Sequence, residues 1–75
     1  MDGSELRQRL LDSLLEQIEE EQYPSVTMMD RVEGALRTPE QILAYANVLL
    51  DKIESSRYPS VTMLNRFDAI LARVD

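Results

Sequence analysis

The chain has 75 residues and a formal net charge of -6, from 14 acidic and 8 basic side chains, and it contains neither cysteine nor histidine. This composition excludes a disulfide-stapled scaffold, a thiolate nucleophile and a histidine base or metal ligand, and the charge repels nucleic acids and anionic membranes. At this length we expect one small domain, residues 1 to 75, whose stability comes from packing or self-association.

The first predicted helix covers residues 4 to 22, because leucine and isoleucine recur there at spacings of three and four. Ser4 is a candidate N-cap for this helix. Toward its end lie four glutamates that we call the acidic patch: Glu16, Glu19, Glu20 and Glu21. Such a run is typical of a solvated helix end that aids solubility, and a docking surface for a basic partner is the alternative.

The segment YPSVTM follows this helix at residues 23 to 28 and recurs unchanged at residues 58 to 63. We call these two copies the corners. Proline disfavours the helical conformation of the residue before it, so the helices that precede the corners are expected to end near Gln22 and Arg57. Each corner is therefore predicted to be a short turn between two helices.

The serines of the corners, Ser25 and Ser60, can each cap the helix that follows, because a serine hydroxyl accepts a hydrogen bond from a backbone N–H three residues on. The threonine two residues later in each copy is a rival cap. The helices that follow the corners are predicted over residues 25 to 37 and 60 to 74.

The third helix is predicted over residues 39 to 56. Thr38, Pro39 and Gln41 form the pattern of a capping box with proline at the first helical position. This helix is apolar around much of its circumference, so side chains outside its core-facing stripe favour a homodimer or a partner groove. The candidates for that surplus are Leu43, Tyr45, Val48 and Leu50.

The second half of the chain repeats the first. Residues 14 to 36 align with residues 49 to 71 at a shift of 35, with 12 identities in 23 positions. The fold class that follows is all-α, with four short helices arranged as two tandem helical hairpins. Short connections make neighbouring helices antiparallel in a compact bundle-like domain, with repeat units of approximately 4 to 37 and 39 to 74.

The sequence offers little for catalysis or for nucleic-acid binding. It lacks a glycine-rich phosphate loop and a calcium-loop spacing, so no enzyme activity, cofactor or metal ion is expected. The helices after the corners could present backbone amides and Arg31 or Arg66 to phosphates. The net charge of -6 and the single lysine, Lys52, disfavour direct binding of DNA or RNA.

By elimination, the sequence predicts a non-enzymatic protein-protein interaction module that self-associates, as a homodimer in its simplest form, and binds an unspecified protein partner. The anchor candidates are Tyr23, Tyr58, Arg31, Arg66 and Tyr45, because tyrosine and arginine dominate interface energetics. The alternative is an inhibitor whose acidic patch mimics nucleic acid in the groove of a basic nucleic-acid-processing protein. No signal peptide or membrane span is recognisable, so a cytoplasmic location without membrane contact is expected.

Overall fold

A computed structural model describes residues 2 to 58 and 60 to 75, and over these residues the chain forms four α-helices and no strand. The helices are α1 (Gly3–Glu20), α2 (Val26–Ala35), α3 (Pro39–Ser55) and α4 (Val61–Ala72). The prediction of an all-helical chain with four helices is therefore confirmed. Pro59, the proline of the second corner, lies outside the described residues.

The chain divides into two compact units. The first unit ends at Ala35, and in it α1 packs against α2. The second unit begins at Leu36, and in it α3 packs against α4. Within the second unit, the guanidinium of Arg73 at the end of α4 donates to the carbonyl oxygen of Leu36 at 3.1 Å, so the end of α4 lies beside the start of α3.

The helices that precede the corners end about two residues earlier than predicted. Glu21 and Ser56 are the C-caps of α1 and α3, and both have extended backbone angles. The hydroxyls of Ser55 and Ser56 donate to the carbonyl oxygen of Lys52 at 3.1 and 2.8 Å, and such local bonds compete with the helical ladder. The chain is thus already extended before it reaches the tyrosine of each corner.

Serine begins the helix after each corner. Ser25 Oγ accepts from the backbone N–H of Met28 at 3.0 Å, and Ser60 Oγ accepts from that of Met63 at 3.4 Å. α1 departs from expectation, because Asp2 rather than Ser4 caps it by accepting from the N–H of Glu5 at 2.9 Å. Aspartate at this position also places a negative charge at the positive end of the helix dipole.

The capping box at the start of α3 is complete. Thr38 Oγ1 accepts from the N–H of Gln41 at 3.2 Å, and Gln41 Oε1 accepts in return from the N–H of Thr38 at 3.3 Å. The same oxygen also accepts from the N–H of Arg37 at 2.7 Å. Three backbone donors are therefore satisfied where the chain turns into its most deeply buried helix.

Apolar side chains at helical spacing supply the buried residues of every helix. Fully burying a valine, leucine, isoleucine or methionine side chain contributes roughly 1.5–3 kcal/mol. In the first unit they are Leu11, Ile18, Met29 and Val32, and in the second unit they are Leu36, Ile42, Tyr45, Ala46, Val48, Leu49 and Ile70. α3 contributes five of them, whereas α4 contributes Ile70 alone.

Replacing the serine cap of α2 tests the assignment of the corner. Ser25→Ala is expected to lower the free energy of unfolding by about 1 kcal/mol, because the Met28 N–H loses its acceptor. Chemical denaturation followed by circular dichroism measures this change.

The matched control is Thr27→Ala, the rival cap in the same corner. Its side chain is exposed within the first turn of α2, so its replacement should leave stability almost unchanged. A larger loss for Thr27→Ala than for Ser25→Ala would move the cap to Thr27 and contradict the assignment.

Candidate interaction surfaces

The two corner tyrosines lie almost entirely in solvent. Tyr23 and Tyr58 are each 85% exposed, although large aromatic side chains usually gain stability by burial. The residue before each tyrosine differs, because Arg57 precedes the second tyrosine where Gln22 precedes the first. The Arg57 guanidinium carbon lies 6.0 Å from the centroid of the Tyr58 ring, at the limit of a cation–π contact.

The two arginine candidates are not equally accessible. Arg31 in α2 is exposed, whereas its equivalent, Arg66 in α4, is half-buried. The first unit therefore has an exposed arginine in α2 and an exposed tyrosine in the corner before that helix. In the second unit only the tyrosine of this pair is exposed.

Tyr45 cannot serve as a surface anchor in this structure. Its side chain has no exposed surface, and Val48 is also buried. Of the apolar surplus predicted for the third helix, Leu43 and Leu50 are the exposed members. α3 is covered over a broader arc than one stripe, which the helical period alone does not reveal.

The acidic patch is accessible and is placed unfavourably for its helix. Glu16, Glu19, Glu20 and Glu21 are all exposed, and the last turn of α1 contains no basic residue. Negative charge at a helix C-terminus opposes the helix dipole. α3 shows the favourable arrangement, with Lys52 in its last turn.

The net charge of the chain belongs entirely to the first unit. Residues 1 to 35 hold nine acidic and three basic side chains, a net charge of -6, and residues 36 to 75 hold five of each. The boundary at Ala35 therefore places the whole excess of negative charge in the first unit. An acidic unit and a neutral unit occupy one short chain.

Exposed apolar side chains on α1 and α4 form surfaces that sequence reasoning did not single out. Leu6 and Leu10 are more than half exposed on α1, as is Val61 on α4. Leu6 and Leu10 lie outside the stripe set by Leu11 and Ile18, so a helical projection could have separated them. A helical projection does not reveal the exposed apolar residues of α4, because the leucines of that helix lie on one regular stripe.

Equivalent positions of the repeat differ in burial. Met29 of α2 is 4% exposed, whereas Leu64, its equivalent in α4, is 39% exposed. The same sequence position thus forms covered surface in one unit and open surface in the other.

The residues that the structure describes hold no group of three or more metal-ligating side chains. None of the helices in this part of the chain combines the length and the apolar character that crossing a membrane requires.

The chain matches no protein-family model, and comparisons with curated proteins and with solved structures return no similar protein.

Reversing one charge of the acidic patch tests the unfavourable helix end. Glu20→Lys is expected to raise the free energy of unfolding by about 0.3–1 kcal/mol at low ionic strength, because it places a cation at the negative end of α1. Denaturation at low and high salt measures the change, which should shrink at high salt.

Glu5→Lys is the matched control. Glu5 is exposed in the first turn of the same helix, so the identical change of net charge should there lower stability. Equal stabilisation by both variants would mean that overall charge repulsion, rather than the position of the charge on the helix, is responsible.

Proposed function

We propose that this chain is a non-enzymatic protein-protein interaction module, and that its two corners are the contact surfaces. The observation that carries the proposal is the 85% exposure of both Tyr23 and Tyr58. Tyrosine supplies a large, rigid contact area with few rotatable bonds and is enriched among residues that dominate binding energy. Two such side chains held in solvent by identical segments are suited to partner recognition.

The local geometry supports this proposal. Each tyrosine follows a helix end, and three residues after Tyr23 a capped helix begins at Val26. A turn that is fixed by a helix on each side presents its side chain with little loss of conformational entropy on binding. Arg31, exposed one turn into the second of these helices, adds a second anchor of the type found at interfaces.

The repeat extends the proposal to the architecture. We infer that the two units are copies of one helical hairpin, since their identical corners carry equivalent serine caps. Exposed apolar side chains on α1 and α4 support self-association of the protein as part of this function. The cytoplasm is the proposed location.

The double variant Tyr23→Ala, Tyr58→Ala tests the corners. Proteins that wild-type protein retains from a lysate are identified, and the purified partner is then titrated against both forms. Affinity is expected to fall by about 30-fold or more, as for the loss of a hot-spot residue, while helicity stays unchanged because both rings are exposed.

Tyr45→Ala is the opposing control. Loss of this fully buried ring should cost roughly 3–5 kcal/mol of stability, as for other buried aromatic residues. If the corner variant unfolded as Tyr45→Ala does, the corner tyrosines would be structural. If it bound the partner with wild-type affinity, the proposal would fail.

The concentration of charge in the first unit favours a second candidate, an inhibitor that mimics nucleic acid. Four exposed glutamates lie within six consecutive residues, on a unit of net charge -6. Such a field steers association with a basic groove. These exposed charges lie at the end of α1, where they oppose the helix dipole, which suits a patch retained for binding.

Salt separates the two candidates. If the protein is an acidic mimic, its affinity for the purified partner should fall steeply between low and high salt. Replacing all four glutamates of the acidic patch with glutamine should remove that salt dependence. A partner that binds through the corner tyrosines should show a shallow salt dependence and no response to the glutamine variant.

A further inference from the structure

The second unit carries an apolar stripe along α4. Val61, Leu64, Asp68 and Leu71 follow one another at spacings of three and four, which places them on one face of the helix. Val61 is 71% exposed, Leu64 is 39% exposed and Leu71 is half-buried. Asp68 is exposed in the middle of this α4 stripe. A surface that covers the stripe must therefore be apolar and must bring a cation to its centre.

The first unit carries a ridge of that chemistry on α1. Leu6, Leu10 and Leu14 are spaced by four residues, and the first two are more than half exposed. Arg7 lies three residues before Leu10, and Arg9 lies three residues after Leu6, so exposed arginines border this α1 ridge. The ridge thus combines leucine side chains with guanidinium groups.

We propose that the α4 stripe of one copy of the chain binds the α1 ridge of a second copy, in a head-to-tail contact. The leucines of the ridge cover Val61, Leu64 and Leu71, and an arginine of the ridge pairs with Asp68. This inference rests on the proposed self-association and names its two surfaces.

Charge favours this unequal pairing over a symmetric one. Two α4 stripes that met around a twofold axis would bury Asp68 together with a second Asp68, at the high cost of desolvating like charges. Two α1 ridges would bring together two first units with a net charge of -6 each. The head-to-tail contact instead joins an acidic unit to a neutral one, with opposite charges at its centre.

The repeat supplies an independent argument. At the shift of 35, Leu64 of the stripe corresponds to Met29 of α2, which is buried. The repeated pattern therefore uses the position of Leu64 as covered surface in the first unit.

A head-to-tail contact uses a different surface on each copy and leaves one stripe and one ridge open at the ends of the assembly. Association of this kind continues past the dimer into rings or filaments, whereas the sequence predicts a homodimer as the simplest form.

Two variants and their mixture provide the test. Leu10→Glu removes the ridge and Leu64→Glu removes the stripe, while each leaves the other surface intact. Sedimentation velocity over a range of concentrations is expected to show oligomers beyond the dimer for wild-type protein and monomers for each variant alone. An equimolar mixture of the two variants should form a heterodimer and nothing larger.

Other outcomes identify what is wrong. If Leu10→Glu alone still associates, the interface does not need the ridge, and if Leu64→Glu alone still associates, it does not need the stripe; either result overturns the head-to-tail contact but preserves self-association. If wild-type protein is monomeric at every concentration, the proposed self-association itself fails. A mixture that stays monomeric, with both variants folded by circular dichroism, also overturns the contact.

Ala69→Glu is the matched control for added charge. Ala69 is exposed on α4, five residues from Leu64 and therefore on another face of the helix. This variant should associate as wild-type protein does, and monomers here would mean that charge on α4 in general, rather than damage to the stripe, prevents assembly.

Discussion

The short lengths of α2 and α4 are the constraint on which the structure depends. They contain 10 and 12 residues, and helices of that length are marginal in water on their own. Each is therefore held by two contributions: a serine hydroxyl that fixes its first turn, and an apolar face packed against the longer helix of its unit. The serine of each corner fixes where the following helix begins, and the exposed tyrosines lie in the same segments.

Identical segments do not lead to identical environments. In the first unit, Met29 and Val32 of the short helix are buried, whereas in the second unit the longer helix holds most of the buried residues. Burial depends on what lies next to a face, and this differs between the two units. The charge is also divided unequally, because the first unit carries the whole net charge of -6 and the second unit is neutral.

Local patterns predicted the helices well because their causes are local. The capping box at Thr38 and the serine of each corner are readable from adjacent residues, and leucine spacing defines the helices. The predictions for α1 and α3 ran about two residues too far, because the backbone becomes extended before the chain reaches the residue whose conformation the proline restricts. Asp2 was overlooked as a cap in favour of Ser4. The burial of Tyr45 could not be predicted, because an apolar helix does not reveal which of its faces is covered.

The contact between Arg57 and the ring of Tyr58 distinguishes two corners that are otherwise spelled alike. One face of that ring already lies near a cation, whereas Gln22 gives Tyr23 no positive charge from the corresponding position. A ligand that recognises an aromatic face would therefore meet two sites of unequal strength.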